Sequence, residues 1–530
     1  MKKIAALIIF TAIVYANSLA NNFVLDDSSV ILGNKFIKLW KNFPRIFTRS
    51  YLTPFTDTAV DHRFGSQETS YRPVTTASYF IDHALWKNNP FGYHLTNLLL
   101  HIFNVILVYT LALLITGTSA AALFAGLLFA LHPANAEAVN VISFRDDLLC
   151  FTFFISSLIF YIKLRKPAAK KNPLIYAASL CLFLLALFSK EMAISLPLVI
   201  LLYDWIFNRE SEAGKPLIRP RHFGYFFVLL FYAWIRFSVM RNPTEPAVAY
   251  IGGSFFTAMI AMFQAAAAYL KTLVLPLDAH YILPQDPRIS VNPVFVPAAL
   301  FSALLVLSVL LFALKARRNF KVAAFCIFWF FVTLLPVSNL WPITNPMAMR
   351  YLYIPISGFC ILLALALTRR NTFKAGVLAV VILSFYAFFT TAANRTWHNN
   401  AGFWAEMTKK YPESPLAYYN LGLAYAKARQ ADTAIPLFKK AISLKPAYAD
   451  AHRNLGICYL LNGISDKAIE EFNASLNSKP RSADTYNDLG IGYAAKKDYE
   501  KAQKMWREAL AIDPEHKNAQ SNLEQSAGKI

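Results

Sequence analysis

Asp26 and Asp27 stand side by side just beyond the first apolar run of the chain, residues 4–20. A carboxylate pair at such a boundary is costly to desolvate, so it stays in water, meets a cation or faces a reacting group. Taken alone, the pair reads equally well as loop acids beside a helix end. Similar groups recur wherever one apolar run gives way to the next. They are Tyr71-Arg72-Pro73, then His132-Pro133 with Glu137-Ala138-Val139, then Arg145-Asp146-Asp147, Lys190-Glu191 and Arg350 before Tyr351 and Tyr353. Carboxylates can take a proton or hold a hard cation, and guanidinium and ammonium groups can hold an anion. Each could equally be a solvated charge or a helix cap; what sets them apart is that they all fall on the same side.

That sidedness comes from the elements between them. Of 530 residues 56% are hydrophobic and 16% charged, below the quarter usual for soluble domains. Apolar runs of bilayer length predict about 11 spans: 4–20, 94–116, 119–132, 147–163, 174–189, 191–207, 222–240, 293–314, 322–338, 350–368 and 373–393. The net charge of +21 is gathered in alternate short connections, including Lys2-Lys3, Lys163 to Lys171, Arg209 to Arg221, Lys315 to Lys321, and Arg369 to Lys374. This is the positive-inside pattern, and no nucleic-acid motif accompanies it. The loops 21–93, 132–146, 241–292 and 339–350 then lie outside, together with the C-terminal region. The bookkeeping requires the apolar stretch 254–275 to be re-entrant or to lie on the outer surface. Residues 1–20 read as a retained anchor, although Ser18-Leu19-Ala20 also fits a signal-peptide cleavage site. The five cysteines show no metal spacing and read as core residues.

Near residue 394 the composition turns polar and helix-forming. Pro412, Pro446, Pro480 and Pro514 recur at intervals of 34, as do Leu421-Gly422, Leu455-Gly456 and Leu489-Gly490. That period and pattern define tetratricopeptide repeats. The expected division is a membrane domain over 1–393 with its first outer loop at 21–93, a linker and partial repeat over 394–412, and three repeats with a capping helix over 413–530. Such arrays hold extended peptides or protein surfaces in their concave groove.

The ordered series Phe23-Val24-Leu25-Asp26-Asp27, Tyr71-Arg72-Pro73, Asn89-Pro90-Phe91-Gly92-Tyr93-His94, His132-Pro133 with Glu137-Ala138-Val139, Ser189-Lys190-Glu191, Tyr203-Asp204 and Arg350 with Tyr353 and Pro355, followed by the repeats, resembles the transmembrane and tetratricopeptide repeat-containing O-mannosyltransferases. The resemblance implies an all-α glycosyltransferase of the polytopic C-type fold. Such an enzyme moves a sugar, mannose in this family, from a polyprenyl-phosphate donor in the lipid bilayer to hydroxyls of a polypeptide acceptor bound by the repeats. It implies that a first-loop acid is catalytic: Asp27 by slight preference, or Asp26, the other orienting it or holding a cation. Arg350, Arg145 and Lys190 become candidates for the donor phosphate, Arg350 first because its fork matches phosphate geometry. Glu137, Asp147, His132, Glu191 and Arg72 become candidates for substrate or metal. Asp26, Asp27, Glu137 and Asp147 would suit Mg²⁺ or Mn²⁺, although enzymes of this fold class also work without a metal.

Two departures bear on specificity. Phe144-Arg145-Asp146-Asp147 stands where the family commonly has Gly-Arg-x-Asp, and Met349 stands where Glu often precedes the arginine. The rival readings are an O-antigen-ligase-like oligosaccharyltransferase and a non-catalytic membrane scaffold. The implied compartment is a bacterial inner membrane with site and repeats in the periplasm, or the lumenal face of the endoplasmic reticulum in a eukaryote.

Overall fold

The computed structural model describes residues 1–47, 71–165, 172–208, 216–239, 249–278, 296–343, 345–369 and 372–527. The remainder of the first loop (48–70) and much of the 241–292 loop lie outside the described residues. Among those described the fold is helical, in two compact units that meet in sequence between Trp397 and His398.

The first unit runs through α1 (Lys2–Tyr15), α2 (Pro73–Trp86), α3 (Pro90–Thr116), α4 (Ser119–Leu131), α5 (Ala136–Asn140), α6 (Arg145–Leu164), α7 (Pro173–Leu187), α8 (Leu196–Tyr203), α9 (Pro220–Val239), α10 (Phe255–Val274), α11 (Val296–Ala316), α12 (Lys321–Leu334), α13 (Pro355–Arg369) and α14 (Phe373–Thr396). Among the described residues six stretches are long and apolar enough to cross a bilayer: Lys2–Ala20, Pro90–Thr116, Ile142–Leu164, Phe255–Val274, Pro297–Ala316 and Phe373–Thr396. A seventh results if α4 and the helix after Pro133, bent by 54°, count as one span.

The expected count of eleven is therefore not reproduced, for local reasons. Residues 191–207 break into a short 3₁₀ turn, α8 and a further turn, because Asp204 is drawn into a buried polar cluster. Its carboxylate accepts from Tyr161 Oη at 2.7 Å and from Arg221 at 2.6 Å. Helices α7, α12 and α13 are apolar but shorter than 18 residues, and α9 carries Arg221, His222 and Arg236 near its ends. The stretch 254–275 is one unbroken helix, long enough to span by length and hydropathy. Tyr250, ahead of this helix, and Tyr269, within it, bond the connection between α12 and α13. Tyr250 Oη donates to the Leu340 carbonyl at 3.2 Å and Tyr269 Oη to the Ala348 carbonyl at 3.0 Å.

The Asn89-to-His94 motif builds the corner between α2 and α3. Asn89 caps the backbone N–H of Phe91, and Tyr93 Oη donates to the carbonyl of Lys87, whose φ of 54° turns the chain. Gly92 is required because a Cβ there would fall 2.0 Å from the Trp86 ring. Gly92→Ala is expected to destabilise the membrane unit by about 1–3 kcal/mol, the range for overpacking, read as a lowered thermal midpoint in detergent. An unchanged midpoint would show that Trp86 swings aside freely.

The second unit has α15 (Asn400–Lys410), three helix pairs α16 (Pro415–Lys427) and α17 (Ala431–Leu444), α18 (Ala449–Leu461) and α19 (Ser465–Ser478), α20 (Ala483–Ala495) and α21 (Tyr499–Ile512), then α22 (Lys517–Gln525). Within each pair a glycine sits against an aromatic ring: Gly422 on Phe438, Gly456 on Phe472, Gly490 on Trp506. The small residue brings the two backbones together and the ring fills the gap, with Ala434, Ala468 and Ala502 fully buried beside it. Ser475, where alanine is usual, is buried too.

Candidate functional site

The segment from His132 to Asp147 is the hub on which the other loops converge. Pro133 ends α4, a short turn and α5 follow, and Ile142–Phe144 leads into α6, so the chain doubles back several times within few residues. The acid pair reaches this hub from the first loop. Leu25 adopts φ of 50°, a sparsely populated conformation for a residue with a Cβ, and turns the chain just ahead of the pair.

Asp27 is fully buried. Its Oδ1 accepts from the backbone N–H of Ser143 at 2.7 Å, and its Oδ2 from those of Val24 at 3.1 Å and Ile142 at 3.4 Å. Asp27 thus fastens the first loop to the hub. Burial outweighs these bonds and lifts its pKa to about 6. Asp26 is half-buried, and its carbonyl starts the following turn through Ser29 and Val30. The leaning toward Asp27 as base therefore meets a physical objection, since both its oxygens face main-chain donors.

A pH dependence follows. The native Asp27 carboxyl binds its proton more tightly than the unfolded one, so its contribution to stability is fullest below about pH 4 and is lost as pH rises through about 6. The thermal midpoint of wild type relative to Asp27→Asn should fall by a few degrees across that window and then level. A difference independent of pH would place the carboxyl in a more polar setting than this.

The cations of the hub form an alternating chain with its acids. Arg236 Nη1 meets Glu191 at 2.6 Å; Arg72 bridges Glu191 at 3.1 Å and Asp146 at 2.5 Å; Lys190 meets Asp146 at 3.5 Å and Asp147 at 2.5 Å. Arg350 pairs with Glu137 at 2.7 Å and lies 4.2 Å from the Phe144 ring centroid. The loop carrying Arg350 is pinned from within the bundle, because Tyr353 Oη lies 2.7 Å from His101 Nδ1 and accepts from Asn104 Nδ2 at 3.2 Å. Exposure grades along the chain, with the Arg236 side chain 28% exposed and those of Lys190 and Asp147 nearly enclosed.

Two candidates turn out to be builders of the hub. The Arg145 side chain is wholly buried, with Asp82 at 2.6 Å, Asn97 Oδ1 at 2.7 Å and the Tyr93 carbonyl at 3.1 Å around it. A guanidinium so enclosed is not placed to receive a phosphate. His132 is buried as well; its Nδ1 accepts from the Ala134 N–H and its Nε2 contacts the Leu273 carbonyl at the end of α10. It joins α4 to α10 and has no ring nitrogen left for substrate or metal.

No group of three His, Cys, Asp or Glu side chains among the described residues is arranged to hold a metal ion. Asp27 faces three amides, Glu137 a guanidinium and Asp147 an ammonium, so the acids named for Mg²⁺ or Mn²⁺ do not share one oxygen shell. Among the described residues these three acids do not fit that ion. Glu137 Oε2 is buried and takes no hydrogen bond from the described residues.

Three residues were missed from sequence. Arg236 lies at the end of an apolar run whose other end carries the basic loop, and that asymmetry was the available signal. Asp82 and Asn394 gave none. Asn394 closes a buried amide cluster, accepting from Asn140 Nδ2 at 2.7 Å and donating to Asn17 Oδ1 at 2.9 Å, while Asn21 Nδ2 donates to Asn140 at 2.9 Å.

Fold and site together define an all-α membrane protein with acids and bases gathered on a loop hub and a C-terminal helical repeat array. The tetratricopeptide repeat family matches residues 404–449, 419–483 and 483–516. The protein O-mannosyl-transferase F38B6.6 of Caenorhabditis elegans is 24% identical over 84% of this chain and 63% of its own length. The protein O-mannosyl-transferase TMTC3 of Homo sapiens is 25% identical over 85% of this chain and 52% of its own. A shorter match, 38% identical over 149 residues, joins 28% of the chain to 17% of human TMTC2. The chain is thus similar over most of its length to proteins named protein O-mannosyl-transferases, and it spans between about half and two thirds of the length of these long matches.

Proposed function

We propose that this protein is a membrane glycosyltransferase that moves a sugar, mannose by kinship, from a polyprenyl-phosphate donor to hydroxyl groups of a polypeptide on the outer face of its membrane, the periplasmic face in a bacterium. The observation that carries the reading is the half-buried Asp26 beside a hub of buried ion pairs, in a chain with O-mannosyl-transferase relatives over most of its length. Asp26 takes the proton of the acceptor hydroxyl as its oxygen attacks the anomeric carbon; the bond from that carbon to the phosphate oxygen breaks, and polyprenyl phosphate leaves with the electron pair. Asp27 positions the loop. Arg350, Lys190 and the more exposed Arg236 receive the charge that grows on the leaving phosphate. Glu137 Oε2 accepts a sugar hydroxyl. No step needs a divalent ion.

The reading is tested with the full chain in lipid nanodiscs, a panel of radiolabelled polyprenyl-phosphate sugars and an unfolded Ser/Thr-rich acceptor. Transfer from one donor that resists chelation by EDTA is expected. Absence of transfer from every donor, with acceptor binding intact, would overturn the reading in favour of a scaffold.

A further inference from the structure

We propose that Asn21, Asn140, Asn394 and Asn17 form a one-way chain of side-chain amides that holds the first-loop acid in place, which makes them positioning residues for the reaction. The proposal rests on the transferase reading only in taking Asp26 as the base.

The amide chain starts in the first loop and ends on the last helix of the membrane unit. Asn21 Nδ2 donates to Asn140 Oδ1 at 2.9 Å, Asn140 Nδ2 to Asn394 Oδ1 at 2.7 Å, and Asn394 Nδ2 to Asn17 Oδ1 at 2.9 Å. Asn17 Nδ2 then donates to the Thr391 carbonyl at 3.0 Å. Main-chain carbonyls fix the direction. Asn140 Nδ2 also donates to the Ala136 carbonyl at 2.8 Å, Asn394 Nδ2 to the Val14 carbonyl at 3.0 Å and Asn21 Nδ2 to the Asn394 carbonyl at 3.4 Å. A carbonyl can only accept, so each –NH₂ must face one and each side-chain oxygen is left for the neighbouring amide. Turning any of these amides over would set like atoms against one another at its joints. Asn21, Asn140 and Asn394 are buried, and Asn17 is half-buried.

What such a network adds is geometry. Buried amides that are fully bonded add little to stability over well-packed apolar groups of the same size, but they admit one arrangement. This one sets both ends of the stretch that carries Asp26. At one end Asn21 is tied to Asn140 and Asn394. At the other, Asp27 accepts from the N–H groups of Ile142 and Ser143, which follow Asn140 closely in the hub. Asn140 thus fixes both where the loop begins and where the amides that receive Asp27 stand. Between the two ends Val24 is fully buried, and the Phe23 ring meets that of Tyr93 at 5.6 Å. Folding needs only that this space be filled. The reaction needs the Asp26 carboxyl within hydrogen-bond reach of a hydroxyl, and a displacement of about 1 Å can cost about 10²-fold in rate.

The test compares wild type with the triple variant Asn21→Leu, Asn140→Leu and Asn394→Leu, as the full chain in nanodiscs. Leucine keeps the volume and leaves none of these amides without a partner, so the thermal midpoint should stay within a few degrees. Hydrogen exchange over residues 22–30, read by mass spectrometry without any sugar donor, should become about tenfold faster while the rest of the hub is unchanged. With donor and acceptor present, kcat should fall by about 10- to 100-fold and the KM for the donor should stay within about twofold. Asn21→Leu alone cuts the amide chain at its first joint and should show the same split more weakly, so it serves if the triple variant does not fold. A kcat within twofold of wild type, unchanged exchange over 22–30, or a kcat that falls only as far as the folded fraction would each overturn the proposal. Exchange needs no sugar, so a wild type that transfers nothing beside a variant that exchanges faster would refute the enzyme reading and leave the hold on the loop standing.

Discussion

Asp26→Asn is expected to lower the rate of sugar transfer by 10²–10⁴, roughly the worth of a positioned general base, while leaving the thermal midpoint within a degree or two of wild type. Asp26 is half-buried and its backbone bonds survive the change. Asp27→Asn should behave differently. An asparagine there turns an –NH₂ toward N–H groups that now meet a carboxylate oxygen, leaving buried donors without an acceptor. The expected cost is about 1–3 kcal/mol, with transfer falling together with the midpoint. Initial rates and thermal midpoints of the two variants, measured side by side, separate the roles. A folded but inactive Asp27→Asn beside an active Asp26→Asn would reverse the assignment.

The largest effect on stability is expected at Arg145. Arg145→Met keeps most of the volume and leaves the Asp82 carboxylate buried without its cation, a change worth about 3–5 kcal/mol. Asp82 keeps one donor, the Thr96 hydroxyl at 2.9 Å, which is too little for a charge in that setting. The double variant Arg145→Met with Asp82→Asn should regain much of the loss, because no uncompensated charge remains. Denaturation of all three proteins in detergent, taken as a double-mutant cycle, gives the coupling directly. Additive losses would mean that Arg145 acts through its contacts to Asn97 and the Tyr93 carbonyl, and that Asp82 is served by water.

Both predictions turn on residues whose types were plain in the sequence and whose partners were not. The apolar runs, the 34-residue repeat and the list of loop acids and bases were all legible, because bilayer crossing and repeat stacking impose local and periodic demands on composition. Spans were harder to count. The run at 191–207 looks continuous in composition, but it bends where Asp204 meets Tyr161 and Arg221 from distant helices. Where 254–275 runs is likewise a matter of bonds to Leu340 and Ala348, far along the chain.

By itself the sequence determined an all-α membrane protein with a tetratricopeptide array, and it offered Asp26, Asp27, Glu137, Lys190 and Arg350 as candidates. Only the tertiary structure divided their work. It set Asp27 against the hub's amides and left Asp26 half-exposed, enclosed Arg145 and His132 in packing, and brought in Arg236 through Glu191. The physical reason is that a charge is defined by its surroundings. Whether a guanidinium is buried against Asp82 or open to a ligand depends on groups from other helices, and no local pattern of residues encodes that.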